Sequence, residues 1–584
     1  MFTCSDHAYW LDSGEFVAAA VRLDIAHPPG HPLTEIYGKA WSLVPLGSLS
    51  LRVALGQAAA TSLACVCLCR ASAALLASQG VAEALRWPCA LFASWLSAFT
   101  YGLWFQAVRP EVYALQTLCT SVVIERVLRY QADPDAPPAR FAGPACFALG
   151  LGLCNHHFTA VLLLPGLLVP LWQLARRMRL RALLGASGLG LLALATYVYL
   201  PLRAARSPVA NLGQPDSFSR FWWVVSARVY ARGAGGMDAS AFRERLVDVL
   251  VVLLESFRFL PLAAALIGLY ALLRRSRTRG QGLFLLALLA PNLLARAWLG
   301  PVRSNPDVLG YFGSTLLVIG LLCAAALAET YGLFIARARL LHRAATCLPA
   351  LALLNLPFAL SRSSLAGFSA TDSFDDLRFR TLPARSVVIE TMPQTVFRHW
   401  ELDAVERVRP DLSQVPVPFI THPGMRDALV RREPQIAGLV DGYIQRDSLR
   451  CGDLRASAAL RPTWLELDVR VPPACYPLLA PAHALHGVQR QASVARTSER
   501  LRELYARLYA ELGVGVRETE TGRQLLGVHY MNAAHFAALG ARSLAREEIA
   551  RAVRIAPSDR NVLALAQALG QGEGPLLIGP FLKL

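Results

Sequence analysis

The pattern of apolar and polar residues divides the chain into a long hydrophobic part and a shorter mixed part. Most apolar segments approach the length of ~20 residues that a helix needs to cross a bilayer. We predict spans at approximately 52–78, 87–107, 111–130, 141–155, 157–174, 182–202, 247–273, 281–300, 309–335 and 344–361. Asn155-His156-His157 interrupts the fourth and fifth of these, which predicts two short helices meeting at a polar turn. A re-entrant pair fits the same pattern.

After about residue 362 the pattern becomes that of a soluble region. The segments 386–390, 415–420 and 464–469 have the composition of short strands set among helical stretches. Near the end, small, aromatic and proline residues follow the spacing of one tetratricopeptide helix pair. These residues are Ala533, Phe536, Ala545, Ile549, Ala552 and Pro557. Because one pair cannot bury its own apolar face, we predict that it packs on the α/β region or on a partner.

The sequence therefore predicts an α-helical polytopic membrane protein with a C-terminal soluble α/β region that ends in a tetratricopeptide-like helix pair. We predict a first outer loop at 1–50 and a membrane domain of about ten spans at 51–361. An extracytoplasmic α/β region follows at 362–515, and a helical end occupies 516–584.

Composition agrees with a membrane protein, since the 584 residues are 54% hydrophobic and only 17% charged. The net charge of +17 raises the question of nucleic-acid binding. However, the basic residues are almost all arginines in short clusters between apolar segments, and no basic stripe with interleaved aromatic residues occurs in the polar part. We predict no nucleic-acid partner.

The arginine clusters predict the topology, because basic residues collect in cytoplasmic loops. The clusters begin at Arg176, Arg274 and Arg337. If they face the cytoplasm, the loops near 1–50, 108–111, 155–157, 203–245 and 301–308 lie on the outer face, together with everything after 361. We therefore predict a multi-pass protein of the plasma membrane with its C-terminal region outside. Cys451 and Cys475 can form a disulfide there, and the sequence leaves their pairing open.

No apolar segment precedes Asp12, although this topology requires the first loop to be outside. Either the amino terminus is translocated unaided, or an upstream helix is missing from this chain. We favour the second interpretation.

Acid–base groups concentrate in the first loop, where Asp12, Glu15, His27 and His31 lie close together in sequence. Asp12 and Glu15 are three residues apart at a predicted helix start, so they can share a face or form a capping box. The Pro28-Pro29-Gly30 turn fixes the backbone between the histidines. The four side chains could also ligate a divalent metal ion, although their spacing matches no recognised metal motif.

Polar residues at the outer ends of predicted spans are candidate substrate-binding residues. They are Glu111, Tyr113, Asn155, His156, Arg203, Asp307 and Tyr311. Glu111 can pair with Arg109, Arg203 can clamp a phosphate or reach toward headgroups, and Asp307 can serve as a helix N-cap. The sequence contains no Walker loop, dinucleotide fingerprint or Gly-x-Ser-x-Gly elbow, which disfavours a soluble nucleotide donor.

Two motifs, Asp12-Ser-Gly-Glu-Phe16 and Ala26-His-Pro-Pro-Gly30, resemble the amino-terminal signature of a family of membrane glycosyltransferases of the GT-C type. Weaker matches extend the resemblance past residue 411: Trp104-x-Gln106, Glu111-Val-Tyr113, Leu200-Pro-Leu-Arg203, Asn305-Pro-Asp307 and Arg409-Pro-Asp411. The eukaryotic relatives are assigned as protein O-mannosyltransferases of plexin-type receptor domains. The resemblance implies a polyprenyl-phosphate sugar as donor.

The same resemblance implies that Asp12 is the catalytic carboxylate, with Glu15, His27 and His31 beside it and Arg203 at the lipid phosphate. The expected reaction transfers a hexose, with mannose the expected sugar, to an acceptor hydroxyl of a protein or an envelope glycan at the outer face. The alternative is a transporter or flippase of a polyprenyl-linked envelope precursor, which leaves Asp12 and His27 without a role. A non-enzymatic scaffold that uses the helical end is a third hypothesis.

Overall fold

The computed structural model describes residues 2–133, 135–233, 239–300, 305–333, 348–489 and 494–582. The chain forms two compact units. The first, called here the membrane unit, comprises Met1–Asp6, Leu23–Pro208 and Pro215–Ala366. The second, called the α/β unit, comprises His7–Arg22, Val209–Gln214 and Gly367–Leu584.

The described part of the membrane unit is helical. Its α-helices are Pro32–Ser42, Leu49–Ser78, Glu83–Ala98, Tyr101–Ala107, Tyr113–Ala132, Ala139–Val161, Leu164–Arg177, Leu180–Leu194, Tyr199–Ala204, Phe218–Val225, Ala239–Phe257, Phe259–Arg274, Arg279–Leu299, Gly313–Leu333, Leu348–Ala352 and Leu356–Ser363. Short 3₁₀ turns occur at Ala195–Val198, Arg228–Gly233, Pro306–Phe312 and Leu353–Asn355.

Four helical stretches in the described residues are long and apolar enough to cross a membrane. They are Leu49–Ser78, Leu180–Ala204, Arg279–Leu299 and Pro306–Thr330. Two further stretches qualify only as bent pairs of helices, so the number of spans rises to six if each pair is one span. A bent pair is either a broken span or a re-entrant loop.

The predicted span at 247–273 is not one straight helix, because two helices meet there at 104° and form either a broken span or a re-entrant loop. The break falls at Arg258, whose φ of 63° ends the first helix. Pro261 lies in the first turn of the next helix, the one part of a helix that tolerates a residue without an N–H. The predicted span 87–107 is also divided, since Thr100 caps a new helix by accepting from the Leu103 N–H.

The predicted interruption within 141–174 is present. His156 has non-helical backbone angles inside the helix Ala139–Val161, as the polar triplet indicates. The larger bend, of 118°, follows a few residues later between that helix and the next. Of the last predicted span, 344–347 lies outside the described residues, and the rest is divided into short helical segments.

Close helix packing holds the membrane unit together. Gly268 lies so near the helix Gly313–Leu333 that an added Cβ would stand 1.9 Å from the Leu322 carbonyl oxygen. Only glycine permits this approach, which is the way in which small residues bring membrane helices into contact. Both helices contribute to one buried apolar cluster, which includes Ala265, Leu272, Leu317 and Leu321.

A five-stranded sheet forms the centre of the α/β unit. The strands are β1 (Val387–Glu390), β2 (Ser413–Pro416), β3 (Thr463–Leu465), β4 (Leu479–Ala482) and β5 (Leu485–Val488). Their order is β2-β1-β3-β5-β4. β1 is parallel to β2 and β3, with Ile389 opposite Val415 and Leu465, whereas β5 is antiparallel to β3 and β4.

Helices surround this sheet. They are Ser13–Arg22, Ala370–Asp375, Pro393–Val405, Met425–Arg432, Ala437–Arg446, Cys451–Leu460, Val494–Leu512, Thr519–Ala538, Arg542–Ile555 and Arg560–Gly570, with a π-helical turn at Asp376–Arg380. Single 3₁₀ turns lie at Val417–Phe419, Pro434–Ile436, Pro473–Leu478, Gly513–Arg517 and Gly579–Phe581. Cys451 and Cys475 form a disulfide.

The predicted tetratricopeptide-like pair is formed by Thr519–Ala538 and Arg542–Ile555. Its inner residues, among them Ala533 and Ile549, share one buried core with Leu465 of the sheet. The pair therefore buries its apolar face on the α/β region, which is one of the two predicted outcomes.

The strand predictions hold in part. The predicted strand 415–420 ends at Pro416, because Pro416 and Pro418 lack the N–H groups that a strand needs, and a 3₁₀ turn follows. The hairpin of β4 and β5 is absent from the prediction. Half of its residues are alanine, proline or glycine, which are not typical of strands, and His483 and Ala484 at the turn both have positive φ.

Candidate functional site

A buried ion-pair group lies at one end of the membrane unit. The Arg109 side chain is 0% exposed and donates to Asp307 and, over 2.8 Å, to Gln106 Oε1. Its guanidinium also lies 3.8 Å from Glu111. The predicted N-cap role of Asp307 is wrong, because Asn305 caps this turn by accepting from the Asp307 N–H. Two predicted site carboxylates thus share one cation.

Arg109→Met should destabilise the protein, because it leaves Glu111 and Asp307 buried together without a positive charge. Removing one partner of a buried ion pair typically costs about 3–5 kcal/mol. We expect a lower midpoint of thermal aggregation for detergent-purified protein, measured by size-exclusion chromatography after heating. Arg109→Met combined with Asp307→Asn should recover part of the loss. An unchanged midpoint in the single variant would contradict this account.

The first loop contacts the helix break at Asn155. His31 Nδ1 hydrogen-bonds the Asn155 carbonyl oxygen over 2.6 Å, and the Thr34 hydroxyl donates to the Asn155 amide oxygen. The Asn155 amide nitrogen donates to the Val112 carbonyl oxygen over 2.8 Å. Burial, reinforced by the neighbouring His27, lowers the pKa of His31 well below its ordinary value, so its imidazole is neutral.

Three predicted residues form an aromatic group next to this contact. The ring of His156 lies 5.5 Å from Tyr113 and 5.3 Å from Tyr311, and the two tyrosine rings are 5.2 Å apart. His31 stacks on His156 at 5.8 Å and lies 5.0 Å from His27. A chain of ring contacts therefore joins the two loop histidines to the ends of two later helices.

Arg296 also belongs to this group, and the sequence analysis missed it. Its guanidinium carbon lies 4.6 Å from the centre of the Tyr311 ring and 5.0 Å from that of Phe158. The residue is 4% exposed, and its Nε and Nη2 atoms have no hydrogen-bond partner among the described residues. An arginine inside an apolar helix is by default a functional hypothesis, and this signal was present in the sequence.

Arg203 lies in the membrane unit and contacts the segment that precedes His27. Its Nε donates to the Leu23 carbonyl oxygen over 2.6 Å, and the Tyr199 hydroxyl donates to the Asp24 carbonyl oxygen over 2.7 Å. Glu35, which the sequence analysis also missed, accepts from the Ala26 N–H over 2.8 Å. These bonds hold the backbone that leads to His27, so Arg203 positions this loop.

Asp12 and Glu15 lie in the α/β unit, so the predicted first outer loop is divided between the two units. The helix that begins at Ser13 packs on the helix Pro393–Val405, and a Cβ added to Gly14 would stand 2.9 Å from the Phe397 carbonyl oxygen. Glu15 is buried, and Asp12 is half-buried at the first turn.

The residues before the motif are anchored within the α/β unit. The Trp10 indole N–H donates to the Thr521 hydroxyl over 2.9 Å, and the Thr371 hydroxyl donates to the Ala8 carbonyl oxygen over 3.0 Å. At the other end of the motif helix, Arg22 pairs with Asp403 over 2.6 Å. These contacts fix the position of Asp12 relative to the rest of this unit.

The fold is that of solved GT-C membrane proteins. The apo crystal structure of ArnT from Cupriavidus metallidurans superimposes with a TM-score of 0.51 at 14% identity, covering 83% of this chain and 94% of that one. The ArnT structure bound to undecaprenyl phosphate gives a TM-score of 0.50 at 15% identity, with 82% and 94% covered. The predicted fold class, a GT-C-like polytopic helical protein with a C-terminal α/β region, is confirmed.

Sequence comparison adds two similarities to a named group of proteins, both of which cover only part of the chain. Residues 12–178 match the model described as the N-terminal domain of protein O-mannosyl-transferase TMEM260. The mouse protein O-mannosyl-transferase TMEM260 is 30% identical over 203 residues, which cover 33% of this chain and 27% of the mouse protein. The chain thus matches about a quarter of that relative's length. The resemblance inferred from the two N-terminal motifs is confirmed.

Proposed function

We propose that the chain is a membrane glycosyltransferase that moves mannose from polyprenyl phosphate to the hydroxyl group of a protein Ser or Thr at the outer face of the plasma membrane. The relative named as a protein O-mannosyl-transferase supports the sugar and the acceptor. The ArnT structure with undecaprenyl phosphate supports the lipid donor.

The observation that carries the proposal is the buried polar group of the membrane unit. Arg109 with its two carboxylates, the Asn155 contact and the His156 ring group lie together near helix ends. Ionisable groups that are buried in a membrane protein are by default a functional-site hypothesis. A transporter needs a path through the bilayer, whereas this group lies at a helix terminus, which suits chemistry at the membrane surface.

In the proposed step the acceptor oxygen forms a bond to the anomeric carbon while the bond from that carbon to the phosphate oxygen breaks. The resemblance assigns to Asp12 the role of accepting the acceptor's proton, a task that general bases perform. The polyprenyl phosphate leaves as an anion, so it needs cationic stabilisation more than protonation. Arg296 suits this role better than Arg203, whose Nε already donates to the Leu23 carbonyl oxygen.

The basic residues of the membrane unit support the proposed orientation. Arg274 and Arg275 donate to Glu329 over 2.7 and 3.0 Å, which brings the ends of two helices to one side. The positive-inside rule places this side in the cytoplasm. Arg279 begins the helix on that side, and Arg296 lies near its opposite end, so the aromatic group belongs to the outer side. The cluster at Arg337 lies outside the described residues.

The disulfide supports an extracytoplasmic α/β unit, since disulfides persist in oxidising compartments. Cys451→Ala with Cys475→Ala should lower the free energy of unfolding of this unit by about 2–4 kcal/mol. Guanidinium titration followed by tryptophan fluorescence measures the loss. Cys146→Ala, at a free cysteine of the membrane unit, is the control. Rapid thiol labelling of both residues in protein isolated without reductant would contradict the disulfide.

The proposed function is tested with purified full-length protein in lipid nanodiscs. Polyprenyl-phosphate-[¹⁴C]mannose and a Ser/Thr-containing acceptor peptide are supplied with and without EDTA, and the labelled peptide is measured. The proposal expects label on the peptide, and the EDTA arm tests whether transfer requires a divalent metal ion. Movement of labelled lipid between leaflets without any glycosylated product would instead support the flippase alternative.

A further inference from the structure

A cavity of about 340 Å³ lies within the α/β unit, apart from the residues described above. One wall is formed where the parallel strands β1 and β3 end, by Thr391 and Met392 after β1 and by Glu466–Asp468 after β3. The helix Thr519–Ala538 and the start of Arg560–Gly570 form the opposite wall. The carboxyl ends of parallel strands are the edge of an α/β sheet at which ligands bind most often.

Two buried polar side chains of this cavity carry unpartnered atoms. Arg378 is 3% exposed, and its Nη2 donates to the Gln524 amide oxygen over 2.9 Å. Within the described part of the chain, Arg378 Nε and Nη1 have no hydrogen-bond partner, and the same holds for Nε2 of His486, which is 5% exposed. Buried polar groups are almost always hydrogen-bonded, so these atoms indicate a ligand with oxygen acceptors and hydroxyl donors.

Acidic residues outnumber basic ones in the lining of this cavity. The carboxylates of Glu466, Asp468, Glu520 and Asp559 line it together with the guanidinium groups of Arg378 and Arg523. Arg470 pairs with Asp468 from outside the lining, which leaves four carboxylates against three guanidinium groups. This excess of negative charge disfavours an anionic ligand. Glu466 Oε2 accepts from the Thr391 and Met392 N–H groups over 2.9 Å, and Oε1 accepts from the Thr395 hydroxyl, so this carboxylate holds the wall of the cavity in place.

Amide side chains and an apolar face complete the lining. Asn561 and the Gln394 amide nitrogen add polar groups, while Tyr530 and Met531 contribute apolar surface. Gln524 bonds Arg378 and Gln394, and Asn532 donates to Tyr505, so these two amides mainly hold the wall in place. A matching ligand is neutral, carries several hydroxyl groups that both donate and accept, and has C–H faces. A saccharide unit has all three properties, and the cavity volume falls in the range of small-molecule sites.

We propose that this cavity of the α/β unit binds a neutral saccharide. The site is separate from the proposed transfer reaction, because none of its lining residues belongs to the groups around Asp12, Arg109 or Arg296. A sugar bound here would let the protein hold an already glycosylated chain through its α/β unit. The binding itself does not depend on catalysis.

A substitution at Gly527 can fill the cavity without a steric clash. It lines the cavity inside a helix, and a Cβ added there meets no atom within 4 Å. Gly527→Phe therefore adds a ring in open space, and the helix tolerates phenylalanine better than glycine. Gly438→Phe is the matched control, since Gly438 is an exposed helical glycine with equally open surroundings that is not part of the cavity lining.

The test uses full-length protein in nanodiscs and ligand-observed saturation-transfer NMR with α-1,2-mannobiose and with cellobiose. We expect saturable transfer to at least one disaccharide, unchanged in Gly438→Phe and at least tenfold weaker in Gly527→Phe. Mannose transfer to a short peptide should continue in Gly527→Phe, so the failure of this site is distinguishable from failure of the proposed function. Absence of binding, equal binding in both variants, or loss of the sugar signal when inorganic phosphate is added would overturn the proposal.

Discussion

Asp12→Asn is expected to lower mannose transfer by about 10²–10⁴-fold, the contribution that general base catalysis typically makes. Asparagine has nearly the same shape as aspartate but cannot accept the acceptor's proton. Asp12 is half-buried at the first turn of its helix, so the substitution changes little in packing. The measurement is the initial rate of peptide labelling in nanodiscs, at saturating donor, alongside the amount of folded protein recovered.

Asp6→Asn is the matched control, because Asp6 is an exposed aspartate a few residues away from the motif. We expect its transfer rate to equal that of the unmodified protein. Asp12→Glu keeps the carboxylate but displaces it, so it should retain more activity than Asp12→Asn. Full activity in Asp12→Asn would remove Asp12 from the base role and leave the acceptor's proton to another group.

Part of the site could be predicted because membrane topology sorts residues by side. Polar residues at alternate helix ends must share one face of the bilayer, and the structure brings Glu111, Asn155, His156, Asp307 and Tyr311 together in one unit. This inference needs only the order of apolar segments and the position of the arginine clusters. Individual contacts are not required.

The partners of these residues could not be predicted, because several local patterns compete for the same side chain. Asp307 follows Asn305-Pro306, and the side chain of either Asn305 or Asp307 could cap the turn. In the structure the Asn305 amide caps it, and the Asp307 carboxylate accepts from Arg109. Likewise, a linear sequence gives no reason to assign residues 7–22 to the C-terminal unit. Their packing on the helix Pro393–Val405 is a long-range contact without a local signature.

The predicted helix bounds differ from the observed ones where a charged residue or a proline interrupts an apolar run. The mean hydropathy of 247–273 is high despite Arg258, at which the chain turns by about a right angle. Arg296 was missed for the same reason, since one arginine barely changes the mean hydropathy of a long apolar helix. An isolated charge in such a helix therefore carries more information about the site than the mean hydropathy does.

Arg296→Gln is expected to lower mannose transfer by about 10²–10³-fold, the usual cost of removing one preorganised group that stabilises developing negative charge. The guanidinium is buried against Tyr311 and Phe158, and two of its nitrogens have no partner among the described residues. A buried charge without a paired carboxylate costs stability, so its removal should leave thermal stability unchanged or raise it.

Arg279→Gln, the same substitution at the exposed start of the same helix, is the control and should leave transfer unchanged. Arg296→Lys keeps the charge without the planar stacking group and should restore only part of the rate. Lower stability of Arg296→Gln with transfer lost only in proportion to unfolded protein would instead assign Arg296 a purely structural role.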